Sequence, residues 1–153
     1  MKRPAERTAR RRSKKVEVRK KRQGFAVNSV ADHYVGDFKH DARTNGQRGW
    51  LVGKFMGQMP QKVDDVEIKY WELEPGPTGH RTKKSATFEC TFILDGETIG
   101  LIGNHETRLV GGRYVVISPG TPNNLVKFVV KRVRGLTVKA PSDPDAKQIV
   151  SEN

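Results

Sequence analysis

The sequence predicts an all-β domain, a sandwich or a barrel, preceded by a basic arm that takes no part in its core. Three observations lead there. Between residues 49 and 140, apolar and β-branched residues come in runs of about 5–7, and glycine-containing turns separate most of them, as in compact β-folds. No helical periodicity alternates with these runs, so an α/β arrangement is not expected. The charge is also unevenly partitioned. The chain carries 29 Lys and Arg against 17 Asp and Glu in 153 residues, a formal net charge of +12. Residues 1–22 hold 12 of the basic and 2 of the acidic residues, a net of +10, whereas 23–153 hold 17 and 15, a net of +2. The body of the protein is therefore close to neutral.

Taken in order, residues 1–22 have Val16 and Val18 as their large apolar side chains and no stripe that would bury against a core. Like-charge repulsion then predicts a disordered arm. Residues 23–48 are polar and interrupted by Gly24, Gly36 and Gly46, which predicts an irregular lead-in of short helical or coil pieces. Within the domain, 49–140, Val66-Glu67-Ile68-Lys69-Tyr70 alternates apolar and charged residues, the pattern of a half-buried strand. Phe88 to Leu94 is a strand ending at Asp95-Gly96, a hairpin signal, and Thr98 to Ile102 is its return. Turns at Gly103-Asn104, Gly111-Gly112 and Ser118-Pro119-Gly120 delimit the strands His105–Leu109 and Tyr114–Ile117. Val126–Val133 breaks at Arg134-Gly135 before a last strand, Leu136–Ala140, and residues 141–153 form a polar tail.

Several classes of function fall away. No apolar run of 18 residues exists to span a membrane as a helix. The basic N-terminus lacks the apolar stretch of a secretory signal. A single cysteine, Cys90, excludes a disulfide framework and a cysteine zinc site, and with no basic neighbour in sequence it is expected to be a buried, inert thiol. A cytoplasmic setting, or a nuclear one in a eukaryote, is the expectation. No glycine-rich phosphate or dinucleotide loop occurs.

Two punctuated stretches share a recognisable spacing. One runs Gly76, five residues, Thr82, one residue, Lys84, four residues, Glu89, six residues, Gly96. The other runs Gly112, five residues, Ser118-Pro119-Gly120, two residues, Asn123, and 15 residues separate Gly96 from Gly112. Together they resemble the motif pair of the cupin superfamily, over roughly residues 66–140. Gly49 to Phe55 also resembles the first strand of small one-domain cupins. The resemblance implies a cupin-like jelly-roll β-barrel and a homodimer. In the family, two histidines, a glutamate and a third histidine converge on a divalent metal. Here Thr82, Lys84 and Asn123 stand at the histidine positions and only Glu89 remains. A lysine ammonium repels a cation that imidazole would bind, so no metal and no cofactor are expected, and Lys84 is expected to pair with Glu89 in the ion's place. A shifted set of His80, Glu89 and His105 has no family spacing behind it, and His33 and His40 are assigned no role.

Three functions remain open. The first is a cupin-type binding protein for a small molecule, lacking the usual metal centre, with Glu89, Lys84, Thr82, Asn123 and His105 at the ligand. Trp50, Phe55, Tyr70, Trp71, Phe92, Tyr114 and Phe128 are expected in the core or along the cavity. The second is a metal-independent isomerase or epimerase, in which Glu89 with Lys84 or His80 forms the acid–base pair. The third is a nucleic-acid-associated protein acting through its arm. There Arg10, Arg11, Arg12, Lys14, Lys15, Arg19, Lys20, Lys21 and Arg22 would meet phosphate backbones in a salt-sensitive way, without aromatic side chains for base stacking.

Overall fold

The structure, a computed structural model, describes residues 34–57 and 60–150. The basic arm, the lead-in as far as His33, and residues 151–153 lie outside the described residues. One short helix, α1 (Phe38–Thr44), opens the fold, capped by Asp37, whose carboxylate accepts from the amide of His40. Nine strands follow: β1 (Trp50–Val52), β2 (Glu67–Leu73), β3 (Gly76–Pro77), β4 (Lys83–Ser85), β5 (Phe88–Ile102), β6 (His105–Val110), β7 (Tyr114–Ile117), β8 (Asn123–Ala140) and β9 (Lys147–Ile149). All are paired antiparallel in one sheet that curls into a half-barrel.

Two long strands, β5 and β8, organise the sheet. They run side by side from Phe88 opposite Ala140 to Ile102 opposite Asn123. The far edge of β8 takes β2, β3 and β4 in turn. The far edge of β5 takes β7 along Glu89–Phe92 and β6 along Glu97–Ile102. Strand β1 extends the sheet beyond β2, and β9 extends it beyond β4.

Two expected breaks are absent. The chain does not fold back at Asp95-Gly96; β5 continues through it, with register shifts between Ile93 and Thr98. Gly96 takes a positive φ of 84°, and a Cβ there would lie 1.9 Å from the Arg132 carbonyl oxygen. The glycine makes a bulge, not a hairpin, because β8 continues to pair with the strand beyond it. It falls where β5 exchanges β7 for β6. There the Gly111 and Gly112 amides donate to the Gly96 and Ile93 carbonyls at 2.9 and 2.8 Å. Likewise β8 does not break at Arg134-Gly135. Gly135 makes room for the Trp71 indole, whose Cζ2 would be 2.1 Å from an added Cβ. The C-terminal segment is not only a free polar tail, since β9 pairs with β4 residue by residue from Lys83 opposite Ile149 to Ser85 opposite Lys147.

Ile93, Leu109, Ile117, Leu125, Val129 and Val133 form the buried aliphatic core, with Trp71, Leu73, Ile102 and Val115 packed against it. Their burial drives the curling of the sheet, since closure removes the inner face of this end from water. The outer face is unusually apolar. Phe92, Tyr114 and Phe128, expected inside, are on the exposed side, Tyr114 at 66%. Phe92 opposes Tyr114 on β7 and Leu136 on β8, so these side chains share one outward row. Tyr70 is the exception on this face: the Phe38 ring of α1 stacks on it at 5.6 Å and it is buried. None of the described helices is long and apolar enough to cross a membrane.

Candidate functional site

Alternation along β2, β5 and β8 decides what fills the barrel's second end. Across this end, Glu89 of β5 and Glu67 of β2 both oppose Lys139 of β8, and one step along Thr91 and Lys69 both oppose Thr137. Because successive side chains of a strand alternate faces, these residues point to the same side of the sheet, inward. Their neighbours Ile68, Cys90 and Val138 then point outward. Local sequence favours the reverse for β2, whose apolar Ile68 and Tyr70 would ordinarily face the core.

The inward set lines an open cavity of about 690 Å³. Its wall includes Lys69, Lys83, Lys139 and Lys147, the carboxylates of Glu72, Glu74 and Glu89, the indoles of Trp50 and Trp71, and the aliphatic side chains of Leu125 and Ile149. Thr91 and Thr137 share a hydrogen bond of 2.9 Å, and the Trp71 indole N–H donates to Thr137 Oγ1 at 3.0 Å. This chain of bonds fixes one polar wall and satisfies groups that burial would otherwise penalise. At the rim, the Asn124 amide donates to the His80 carbonyl at 2.6 Å and ties the loop before β4 to β8.

Glu89 is 2% exposed and accepts from Lys83 Nζ at 2.9 Å on Oε1 and 2.6 Å on Oε2. The expected partner was Lys84; the ammonium that arrives is one residue earlier. Lys83 opposes Asn123 across β4–β8, so its side chain enters the barrel, whereas Lys84 falls on the opposite face of β4 and is exposed. Thr82 is half-buried, and its carbonyl accepts from the Val150 amide at 2.9 Å. Asn123 is fully buried and does not line the cavity; it donates to the Thr121 carbonyl at 3.2 Å, and its Oδ1 has no hydrogen-bond partner among the described residues. His80 lies on the rim, its imidazole pushed below the usual range by burial and then by the ammoniums of Lys69, Lys147 and Lys83. His105 begins β6 and does not line the cavity. Cys90 stands on the outer face, half-buried, and burial raises its thiol.

Two cavity residues carry signals that local sequence reading passes over, Lys69 and Lys139, and both meet Trp50, expected in the core or along the cavity. Lys69 Nζ and Lys139 Nζ each sit 5.5 Å from the Trp50 ring centroid, at cation–π distance. Among the described residues, neither ammonium has a carboxylate within 4.0 Å. Burial lowers the Lys69 pKa first, and the nearby ammoniums of Lys147, Lys83 and Lys139 lower it further, with Glu89 opposing. For Lys139, burial again leads and Lys83 follows, opposed by Glu89 and Glu67. The cavity is thus a site of unbalanced positive charge with aromatic and aliphatic walls.

That donor set does not suit the divalent metal of the family motif. Glu89, the carboxylate of the motif, is already held through both oxygens by an ammonium, and the remaining motif positions offer a hydroxyl, an exposed lysine and an amide. Among the described residues no cluster of three or more His, Cys, Asp or Glu is poised around a common point.

No protein-family profile and no curated protein matches the sequence. Solved structures do match. An uncharacterised conserved protein with a double-stranded β-helix domain from Klebsiella pneumoniae superposes with a TM-score of 0.58 at 14% identity, covering 79% of this chain and 100% of that one. The fold is the double-stranded β-helix of the cupins. Two larger proteins share it. The DMSP lyase DddQ of Ruegeria pomeroyi matches at TM-score 0.51 and 20% identity, over 57% of this chain and 44% of the lyase. A salicylate 1,2-dioxygenase of Pseudoaminobacter salicylatoxidans in complex with gentisate matches at 0.52 and 14%, over 60% of this chain and 26% of the enzyme. This chain therefore spans less than half of either enzyme's length, and at such identities the likeness concerns the cupin fold alone.

Proposed function

We propose that this cupin-fold protein binds a small organic carboxylate in its barrel cavity and does so through ammonium groups, not a metal ion. The observation that carries this reading is the pair Lys69 and Lys139, two inward cations without a carboxylate within 4.0 Å among the described residues, facing a cavity of about 690 Å³. An unpaired ammonium behind partly apolar walls is costly to desolvate, and a bound anion returns that cost. The walls of Trp50, Trp71, Leu125 and Ile149 favour an anion with an apolar body over an inorganic one. That Glu89, the one motif ligand retained, is held through both oxygens by Lys83 supports a reading without a metal ion.

Benzoate and inorganic phosphate, titrated calorimetrically into the full chain, test this reading. Benzoate is expected to bind more tightly than phosphate. Lys69→Met and Lys139→Met are each expected to weaken it about tenfold, the worth of a charge-assisted hydrogen bond. Lys84→Met should leave binding unchanged. Binding unaffected by either cavity lysine, or a stoichiometric transition metal in protein purified without chelators, would remove this reading.

A further inference from the structure

We propose that Lys69 is a carbonyl-trapping amine, and that the cavity takes a small anionic aldehyde or ketone as a reversible imine on its Nζ. This rests on the carboxylate-binding reading above and adds a covalent step to it.

The geometry begins with β2. Lys69 lies between Trp50 of β1 and Thr137 of β8, its Cα partners on either side. Its ammonium sits over the Trp50 ring at 5.5 Å and opens on the cavity, where a ligand can reach it. Lys139 Nζ lies at the same distance from the same ring. Two amines therefore border one aromatic ring and line the same cavity, so one can hold a carboxylate while the other meets a carbonyl of the same ligand. Lys69 suits the second role. The charged groups facing it are Lys139 from β8, Lys83 from β4, Lys147 from β9 and Glu89 from β5, three cations against one carboxylate already bound to Lys83. Such a setting favours the neutral amine, the form with the lone pair that nucleophilic addition needs, as for lysines that are desolvated or placed beside another cation. Lys139 has Glu67 as well as Glu89 working to keep it charged, and so retains the role of anion holder.

The step balances without an added reagent. The Lys69 ammonium first gives up one proton; its neutral nitrogen then adds to the carbonyl carbon, and the former carbonyl oxygen takes up a proton from that nitrogen. The resulting hydroxyl leaves as water with the proton first released, and the C=N nitrogen keeps its last hydrogen and the single positive charge that the ammonium carried. Hydrolysis runs the same sequence backwards. The Lys139 ammonium beside the site neutralises the ligand's carboxylate and lets the anion approach.

Glyoxylate is the probe, with borohydride to reduce any imine to a stable secondary amine and peptide mass mapping to locate it. In the wild-type chain the adduct is expected on Lys69. It should be lost in Lys69→Arg, which keeps the charge, and reduced in Lys139→Met, while excess benzoate should protect. Wild-type mapping needs no variant to fold, so a structural defect in Lys69→Arg cannot mislead. An adduct spread over surface lysines, an adduct centred on Lys139, or no adduct overturns the proposal. Benzoate titration of the same sample separates the two readings: binding without an adduct sinks only the covalent step, and no binding with no adduct sinks both.

Discussion

The two ends of this barrel are built from the same strands and filled in opposite ways. Along β5 and β8 one end turns Ile93, Val129 and Val133 inward, all at most 1% exposed. A few residues away the same strands turn Glu89, Thr91, Thr137 and Lys139 inward around an open cavity. The backbone ladder runs through both, shifting register between Ile93 and Leu101. What differs is the source of stability. The dry end gains from apolar transfer and close packing, while the wet end is held by its ladder and by polar groups that satisfy one another. Function is therefore expected where stabilisation by packing is weakest.

The sharpest way to break this comparison is truncation at matched depth. Ile93→Ala is expected to destabilise the protein by about 2–5 kcal/mol, the range for emptying an aliphatic core site. Lys69→Met, at the wet end, should be neutral or stabilising because it removes a cation that burial disfavours. Urea denaturation of the two variants checks both. Comparable losses at the two ends would show that the cavity lysines are structural.

A smaller effect probes the buried ion pair. Glu89→Gln leaves the Lys83 ammonium facing a neutral amide and should cost about 1–3 kcal/mol. The double variant Glu89→Leu with Lys83→Met should recover most of that loss, since an apolar pair of similar volume has no charge to desolvate. If the double variant is as unstable as the single one, the pair contributes net stability and the wet end is held by its charges as well as by its ladder.

The smallest effect is in the pH dependence. The pKa values of Lys69 and Lys139 in the folded protein lie below the ordinary 10.5. Over the interval between the folded and unfolded values, the unfolded chain binds more protons, so stability rises with pH there and levels off above about 10.5. The wild type should therefore gain stability on going from neutral to alkaline pH by more than Lys69→Met/Lys139→Met does. Equal slopes in urea midpoint against pH would mean that neither lysine is depressed. Carboxylate binding carries the opposite sign: the bound anion raises both pKa values, so affinity falls as pH climbs through the free-state values.

Much of the fold is legible in the residues themselves. The glycine and proline turns around Gly103, Gly112 and Gly120 fall where the strands end, because positive φ there is a local requirement: 57°, 82° and 81°. Gly96 and Gly135 carry the same residue type but sit inside strands, one to pass Arg132 and the other to admit Trp71. Those causes are contacts over more than 30 positions of chain, which local reading does not contain. The site follows the same division. Glu89 is picked out by the motif spacing, and its placement at 2% exposure fits a barrel interior. Its partner shifts from Lys84 to Lys83 because strand pairing with Asn123, not spacing from Glu89, sets which lysine faces in.

The sequence by itself determined the class of fold, the residues at the turns, the separation of a +10 arm from a near-neutral body, and two faces for each strand. It did not determine which face is inside. Val66 to Tyr70 would ordinarily bury its valine, isoleucine and tyrosine; closure of the sheet instead places Lys69 in the cavity and leaves Phe38 to cover Tyr70 from outside. A period of two marks the two faces, and the local preference to bury the apolar one is overruled here. The direction of curling overrules it for the whole sheet at once. That direction is set by the aliphatic end, where burying Ile93, Val129 and Val133 commits β5 and β8, and through them Glu89 and Lys139, to point the same way.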